Sequence, residues 1–146
     1  MSSAHQNLST YNKENIPSAE GLKIHIAVSE WNTDITDLLL KGAKDTLIDL
    51  GVLEEDIEII TVPGSFELPF AAKCLLKAKK TDAVICLGCV IRGETKHDDY
   101  INNAIASGIT QLSLVSDKPV IFGVLTVNDH QQAIDRSGGK LSLIHI

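Results

Sequence analysis

The stretch CLGCVIRGETKHDDY, Cys86 to Tyr100, passes from apolar residues straight into a glycine-bounded turn that carries Arg92, Thr95 and His97. Extended backward to Asp82 as DAVICLGCVI, its first half is apolar on both alternating faces, which predicts a strand buried on both sides. Such a strand belongs in a parallel sheet, because parallel neighbours need crossover helices and those helices cover both faces. The second half of the stretch then falls at the carboxyl end of that strand. Open parallel sheets bind ligands at that rim.

Reading outward, the same alternation fills the chain from Leu22. LKIHIAV (Leu22 to Val28) is a short strand, and IEIITVP is another, closed by Pro63 and Gly64. PVIFGVLTV is the fourth. Between them, DITDLLLKGAKDTLIDLG puts Ile35, Leu38, Leu39, Ala43, Leu47 and Leu50 on one helical stripe; Thr33 or Asp34 is placed to cap its start and Gly51 to end it. FELPFAAKCLLKAKK predicts a helix with Pro69 in its first turn, where a missing N–H costs little. DDYINNAIASGITQLSLVSD and the shorter DHQQAIDRSGG predict two more. The expected class is α/β, a flavodoxin-like three-layer αβα sandwich around a four-stranded parallel sheet.

Composition narrows the function. At 146 residues and 44% apolar the chain makes one domain, expected over 22–140 after a polar, flexible tail at 1–21. A net charge of -6 without a long basic run gives no general affinity for nucleic acid or anionic lipid, so any anion must be held locally. No apolar run is long enough to span a bilayer, and the first residues lack a signal h-region, which predicts a soluble, cytoplasmic protein. Cys74, Cys86 and Cys89 lie in apolar segments and read as free thiols. Cys86 and Cys89 spell C-x-x-C, but without a second ligand pair this is a weak zinc signal, and packing is the stronger reading.

Four segments follow the four strands at the expected rim: SEWNT (Ser29 to Thr33), PGSFE (Pro63 to Glu67), IRGETKHDD (Ile91 to Asp99) and VNDHQQAIDRSGGK (Val127 to Lys140). Each has a plain and a functional reading. Trp31, the single Trp, is either a core residue or a stacking platform. Glu67 opens a helix, where a carboxylate is favoured anyway. Gly93, Glu94 and Thr95 stand at a helix start whose N–H groups suit an anion, although turns there often carry Gly and Thr as mere caps. His97 is either a surface or capping residue or a proton-exchanging group, and Arg136 offers either a local salt bridge or the fork a phosphate takes. His5, His25, His130 and His145 have no such company.

Taken in order, these segments resemble the 6,7-dimethyl-8-ribityllumazine synthase family of riboflavin biosynthesis. WNTDIT matches the family's aromatic-Asn before Ile-Thr, and VPGSFELP its V-P-G-x-aromatic-E-aliphatic-P. LGCVIRGETKHDDY matches L-G-x-V-I-[RK]-G-x-T-x-H-x-x-Y, while GVLT and QAIDRSG match two later motifs. The resemblance spans roughly Leu22 to Lys140. It implies condensation of 5-amino-6-(D-ribitylamino)uracil with 3,4-dihydroxy-2-butanone 4-phosphate, releasing phosphate and water, with no metal or organic cofactor.

The resemblance also implies residue roles. Trp31 would stack on the pyrimidine; Ser65, Phe66 and Glu67 would line the ribityl side; Cys89, Val90 and Ile91 would meet the uracil edge. Glu94, Thr95 and Arg136 would bind phosphate, His97 would be the acid/base catalyst, and Phe122 would complete the pyrimidine pocket of a neighbouring subunit. Family members form pentamers, and in some twelve pentamers make a hollow shell. Two departures stand out. Cys89 takes a position where the family often has Thr or a small residue, and after RSGGK the chain runs into LSLIHI (141–146) where the family continues into a final helix. The expectation is an atypical end that leaves bare the apolar area such a helix would cover. A flavodoxin-like module that binds without turnover, or a shell-forming protein, are the competing readings.

Overall fold

The computed structural model describes residues 12–139 except Lys79. The expectations for 1–11 and for 140–146 fall outside the described residues. Four strands, β1 (Ile24–Ser29), β2 (Ile57–Val62), β3 (Ala83–Ile91) and β4 (Val120–Val127), form one sheet in the order β2-β1-β3-β4. All three pairings are parallel, with Ile26 opposite Ile59 and Ile85, and Cys86 opposite Phe122. The chain therefore builds first to one side of β1 and then to the other. The switch between β1 and β3 opens the crevice in which such sheets bind ligands.

The helices α1 (Thr33–Asp49), α2 (Leu68–Ala78), α3 (His97–Ser116) and α4 (His130–Arg136) cover the two faces in pairs. Strand periodicity decides the pairing. Ile24, Ile26, Val28, Ile85, Leu87 and Cys89 point into one core with Ile35, Leu39 and Ala43 of α1 and Ala133 of α4. Ala27, Val84, Cys86, Val120 and Val124 point the other way, against α2 and α3. The result is the three-layer α/β sandwich expected from the unbroken apolar strands. In β3 every residue from Ala83 to Cys89 is buried, as a central strand covered on both sides requires.

Cys86 and Cys89, three apart in one strand, consequently face opposite layers and cannot converge on one metal ion. Cys86 offers its thiol to the Leu68 carbonyl, and both behave as small apolar residues.

Local details differ from the sequence reading where tertiary contacts compete. The expected caps Thr33 and Asp34 are not used: Asn32 is the N-cap of α1, in the left-handed region at φ 62°, and makes no side-chain cap. Leu38 lies on the outer edge of its stripe and is exposed, while Thr36 is buried in its place. Gly51 does end α1, at φ 101°. Residues 12–21 lie along the end of α1, where the Ala19 N–H donates to the Leu50 carbonyl at 2.9 Å and Lys13 pairs with Asp49.

Candidate active site

The carboxyl ends of β1, β2 and β3 surround a cavity of about 480 Å³. Trp31 and Asn32 enter it from the β1–α1 loop, and Gly64, Ser65, Phe66 and Glu67 from the turn before α2. Cys89, Val90 and Ile91 close it along the end of β3, followed by Gly93 and Thr95. From the first turns of α3 come His97, Asp98 and Ile101.

Each wall is held by identifiable bonds. The Glu30 N–H donates to the Val62 carbonyl at 2.8 Å, tying the β1 exit to the end of β2. Ser65 is buried, and its hydroxyl lies 3.4 Å from that of Ser29. Gly88 makes this approach feasible, since a β-carbon there would stand 2.5 Å from Ser65 Oγ. Glu67 bends back so that its Oε2 accepts the Gly64 N–H at 3.1 Å. It serves as a helix-start cap while still lining the cavity, so its plain and functional readings coexist.

Asn32 spends its side-chain amide across the sheet. Its Nδ2 donates to the Cys89 carbonyl at 3.1 Å, and its own carbonyl accepts the N–H groups of Ile35 and Thr36 at 2.9 and 3.0 Å. Left-handed backbone costs an ordinary residue ~1–2 kcal/mol and Asn less, which suits Asn to this turn. Trp31 beside it is 72% exposed, which decides between its two readings: the ring is not core and stands free at the cavity mouth.

The electrostatics are mixed. Asp98 and Asp99 occupy the first turn of α3, favoured there by the helix dipole. Helix α3 begins at His97, so Gly93, Glu94 and Thr95 form the bend ahead of it rather than its first turn. Among them Thr95 lines the cavity and Glu94 does not. Burial pushes the Cys89 thiol up to about 11, with the nearby Asp34 carboxylate adding to the effect, so it is a protonated wall rather than a nucleophile.

Of the residues expected at the site, Trp31, Ser65, Phe66, Glu67, Cys89, Val90, Ile91, Thr95 and His97 meet at this one cavity. Glu94, Phe122 and Arg136 do not line it. Phe122 sits mid-strand on β4, half-buried against the α2–α3 layer, and Arg136 ends α4 with Nη1 donating to the Gln132 carbonyl at 3.0 Å. Asn32 and Asp98 line the cavity without having been singled out. Asn32 was visible only as a motif letter, and Asp98 only as a first-turn acid beside His97.

Comparison with known proteins agrees with this architecture. The family model described as 6,7-dimethyl-8-ribityllumazine synthase matches residues 21–143. A protein of that name from Parabacteroides distasonis is 51% identical over 140 residues, covering 96% of this chain and 88% of its own length. Those from Phocaeicola vulgatus, at 48% over 97% of this chain and 84% of its own, and Cytophaga hutchinsonii, at 51% over 96% and 87%, are similarly close. With a matching family model over most of the chain and relatives at about half identity across nearly all of it, this chain belongs to the 6,7-dimethyl-8-ribityllumazine synthase family.

Proposed function

We infer that the chain catalyses the condensation of 5-amino-6-(D-ribitylamino)uracil with 3,4-dihydroxy-2-butanone 4-phosphate to 6,7-dimethyl-8-ribityllumazine, releasing phosphate. The observation that carries this is the convergence of Trp31, the Cys89–Ile91 strand end, Thr95 and His97 on one cavity. The chemistry needs little else. An amine must add to a ketone, water and phosphate must leave, and a ring must close, each step moving protons at neutral pH.

In this reading the indole of Trp31 takes the flat pyrimidine, and the backbone of Cys89, Val90 and Ile91 supplies hydrogen bonds to its edge. Ser65, Phe66 and Glu67 face the ribityl chain. The N–H groups of Glu94 and Thr95, joined by Arg136, take the phosphate. His97 acts as acid and base, a contribution of about 10²- to 10⁴-fold. Holding both reactants in register contributes the remainder without a covalent bond to the protein.

Oligomerisation belongs to the same proposal. Phe122 and Arg136 stand away from their own chain's cavity, and Phe66, Phe70, Leu114 and Val115 leave large apolar side chains exposed. A homopentamer, alone or as a shell of pentamers, would bring Phe122 to a neighbour's pyrimidine site and Arg136 to a neighbour's phosphate. A monomer would then be nearly inactive. We further place the protein in the cytoplasm; among the described residues no helix is long and apolar enough to cross a membrane.

The test is to mix the two substrates with the protein and follow the absorbance of the lumazine product, with His97→Ala as the control. Turnover that falls about 10²- to 10⁴-fold in the variant is expected. A binding module or a shell protein would give no product, and an unchanged rate in the variant would remove His97 from the mechanism.

A further inference from the structure

We propose that Asn32 is a positioning residue that sets the offset between the two walls of the pyrimidine site, by clamping the loop carrying Trp31 to the strand end carrying Cys89, Val90 and Ile91. The inference rests on the functional reading above and adds a residue that has no role in it.

Trp31 is 72% exposed, so packing within its own chain does not fix its ring. What is fixed is the backbone on which it stands. That backbone has three anchors: Glu30 N–H to the Val62 carbonyl, the Asn32 carbonyl accepting from α1, and Asn32 Nδ2 to the Cys89 carbonyl. The first two tie the loop to β2 and to its own helix. Among the described residues, the third is the anchor that reaches β3 from this loop.

That third bond joins the loop that offers the indole to the ring's face with the strand end that meets the ring's edge. A ring stacked on the indole reaches hydrogen-bond partners along its edge only when the offset between the two is held, because such bonds weaken steeply outside a narrow range of distance and angle. A hydrogen bond of 3.1 Å between the side chain of one wall and the backbone of the other holds that offset.

The conformation of Asn32 is part of the same device. An Asn at an N-cap ordinarily turns its side chain onto its own helix. Here the left-handed backbone at φ 62° accompanies a side chain that leaves α1 uncapped and reaches Cys89 instead. The bond takes one of the two lone pairs of the Cys89 carbonyl and holds that strand end in place for the incoming ring edge.

Three variants separate the contributions. Asn32→Gly keeps access to the left-handed backbone and loses the clamp. Asn32→Asp keeps both backbone tolerance and shape but sets an acceptor against the Cys89 carbonyl. Asn32→Ala loses the clamp and strains the backbone. Because Trp31 is the single tryptophan, its fluorescence reports the site directly. Titration with 5-amino-6-(D-ribitylamino)uracil should show binding weakened roughly 3- to 10-fold in Asn32→Gly, the size of one hydrogen bond, and more in Asn32→Asp. The KM for the phosphate substrate should stay within about twofold, since the clamp does not touch that end of the cavity, and the anisotropy of ligand-free Trp31 should fall.

Asn32→Gly and Asn32→Asp binding the pyrimidine as tightly as the unmodified protein would overturn the proposal. So would an equal loss for both substrates that tracks a lowered unfolding midpoint, because Asn32 would then be a structural residue only. Absence of turnover in the unmodified protein is a separate result: it refutes the enzyme reading itself.

Discussion

A β-carbon on Gly88 would stand 2.5 Å from the Ser65 hydroxyl and 3.1 Å from Leu68 Cδ1, so β3 carries a glycine where the turn before α2 presses against the sheet. Ser65 is buried there beside Ser29 and has little room to retreat. Gly88→Ala should therefore push the turn outward, costing about 1–3 kcal/mol of stability as overpacking does. It should also weaken binding at the wall formed by Ser65, Phe66 and Glu67. Urea unfolding together with the KM of the pyrimidine substrate checks this; an alanine variant with unchanged stability would show that the turn is looser than its geometry.

Trp31 gives the opposite combination. With most of its surface in water, replacing it removes little packing, so Trp31→Ala should leave the unfolding midpoint nearly unchanged. Its loss should weaken pyrimidine binding by about 1–3 kcal/mol, the range for a base stacked on an aromatic ring. Calorimetric titration with the pyrimidine substrate, beside a thermal melt, reads both quantities. A variant that melts early but binds normally would place Trp31 in the core after all.

At the other end of the sheet, His25 Nδ1 lies 2.7 Å from Thr81 Oγ1, and that hydroxyl also donates to the Leu75 carbonyl at 3.2 Å. Both side chains are buried, so Thr81→Val deletes a shared hydroxyl where water cannot easily replace it. The expected cost is about 1–3 kcal/mol in denaturant unfolding. Because the amino end of β1 is remote from the cavity, kcat per folded molecule should not change. A lowered kcat with intact stability would refute that separation.

The thiols predict a pH dependence. Burial raises the Cys86 thiol to about 12 and the Cys89 thiol to about 11, from an ordinary 9.0. The folded chain thus holds these protons more tightly than the unfolded chain. Their contribution to stability is complete below about pH 9 and declines as pH climbs toward 11 and 12. The urea midpoint should fall over that interval, and less so in a Cys86→Ala, Cys89→Ala double variant. At pH 8 an alkylating or disulfide reagent should modify the exposed Cys74 first, with the other two reacting on unfolding. Rapid labelling of Cys89 in the folded protein would contradict its burial.

Much of this was legible in the residues. The unbroken apolar run from Ala83 to Ile91 specified a doubly covered parallel strand, and with it the layer architecture and the rim where a site belongs, because strand and helix periods are local and repeat along the chain. Motif order brought Trp31, Ser65, Glu67 and His97 under suspicion before any contact was visible. The tertiary structure alone decided contacts between residues distant in sequence. It turned the Asn32 side chain away from its own helix to Cys89, 57 residues on, and put a glycine under Ser65. It also left Phe122 and Arg136 outside their own chain's cavity. A hydrogen bond between strands, or a collision with a β-carbon, depends on where two separate segments come to rest, and no local pattern in either segment encodes that distance.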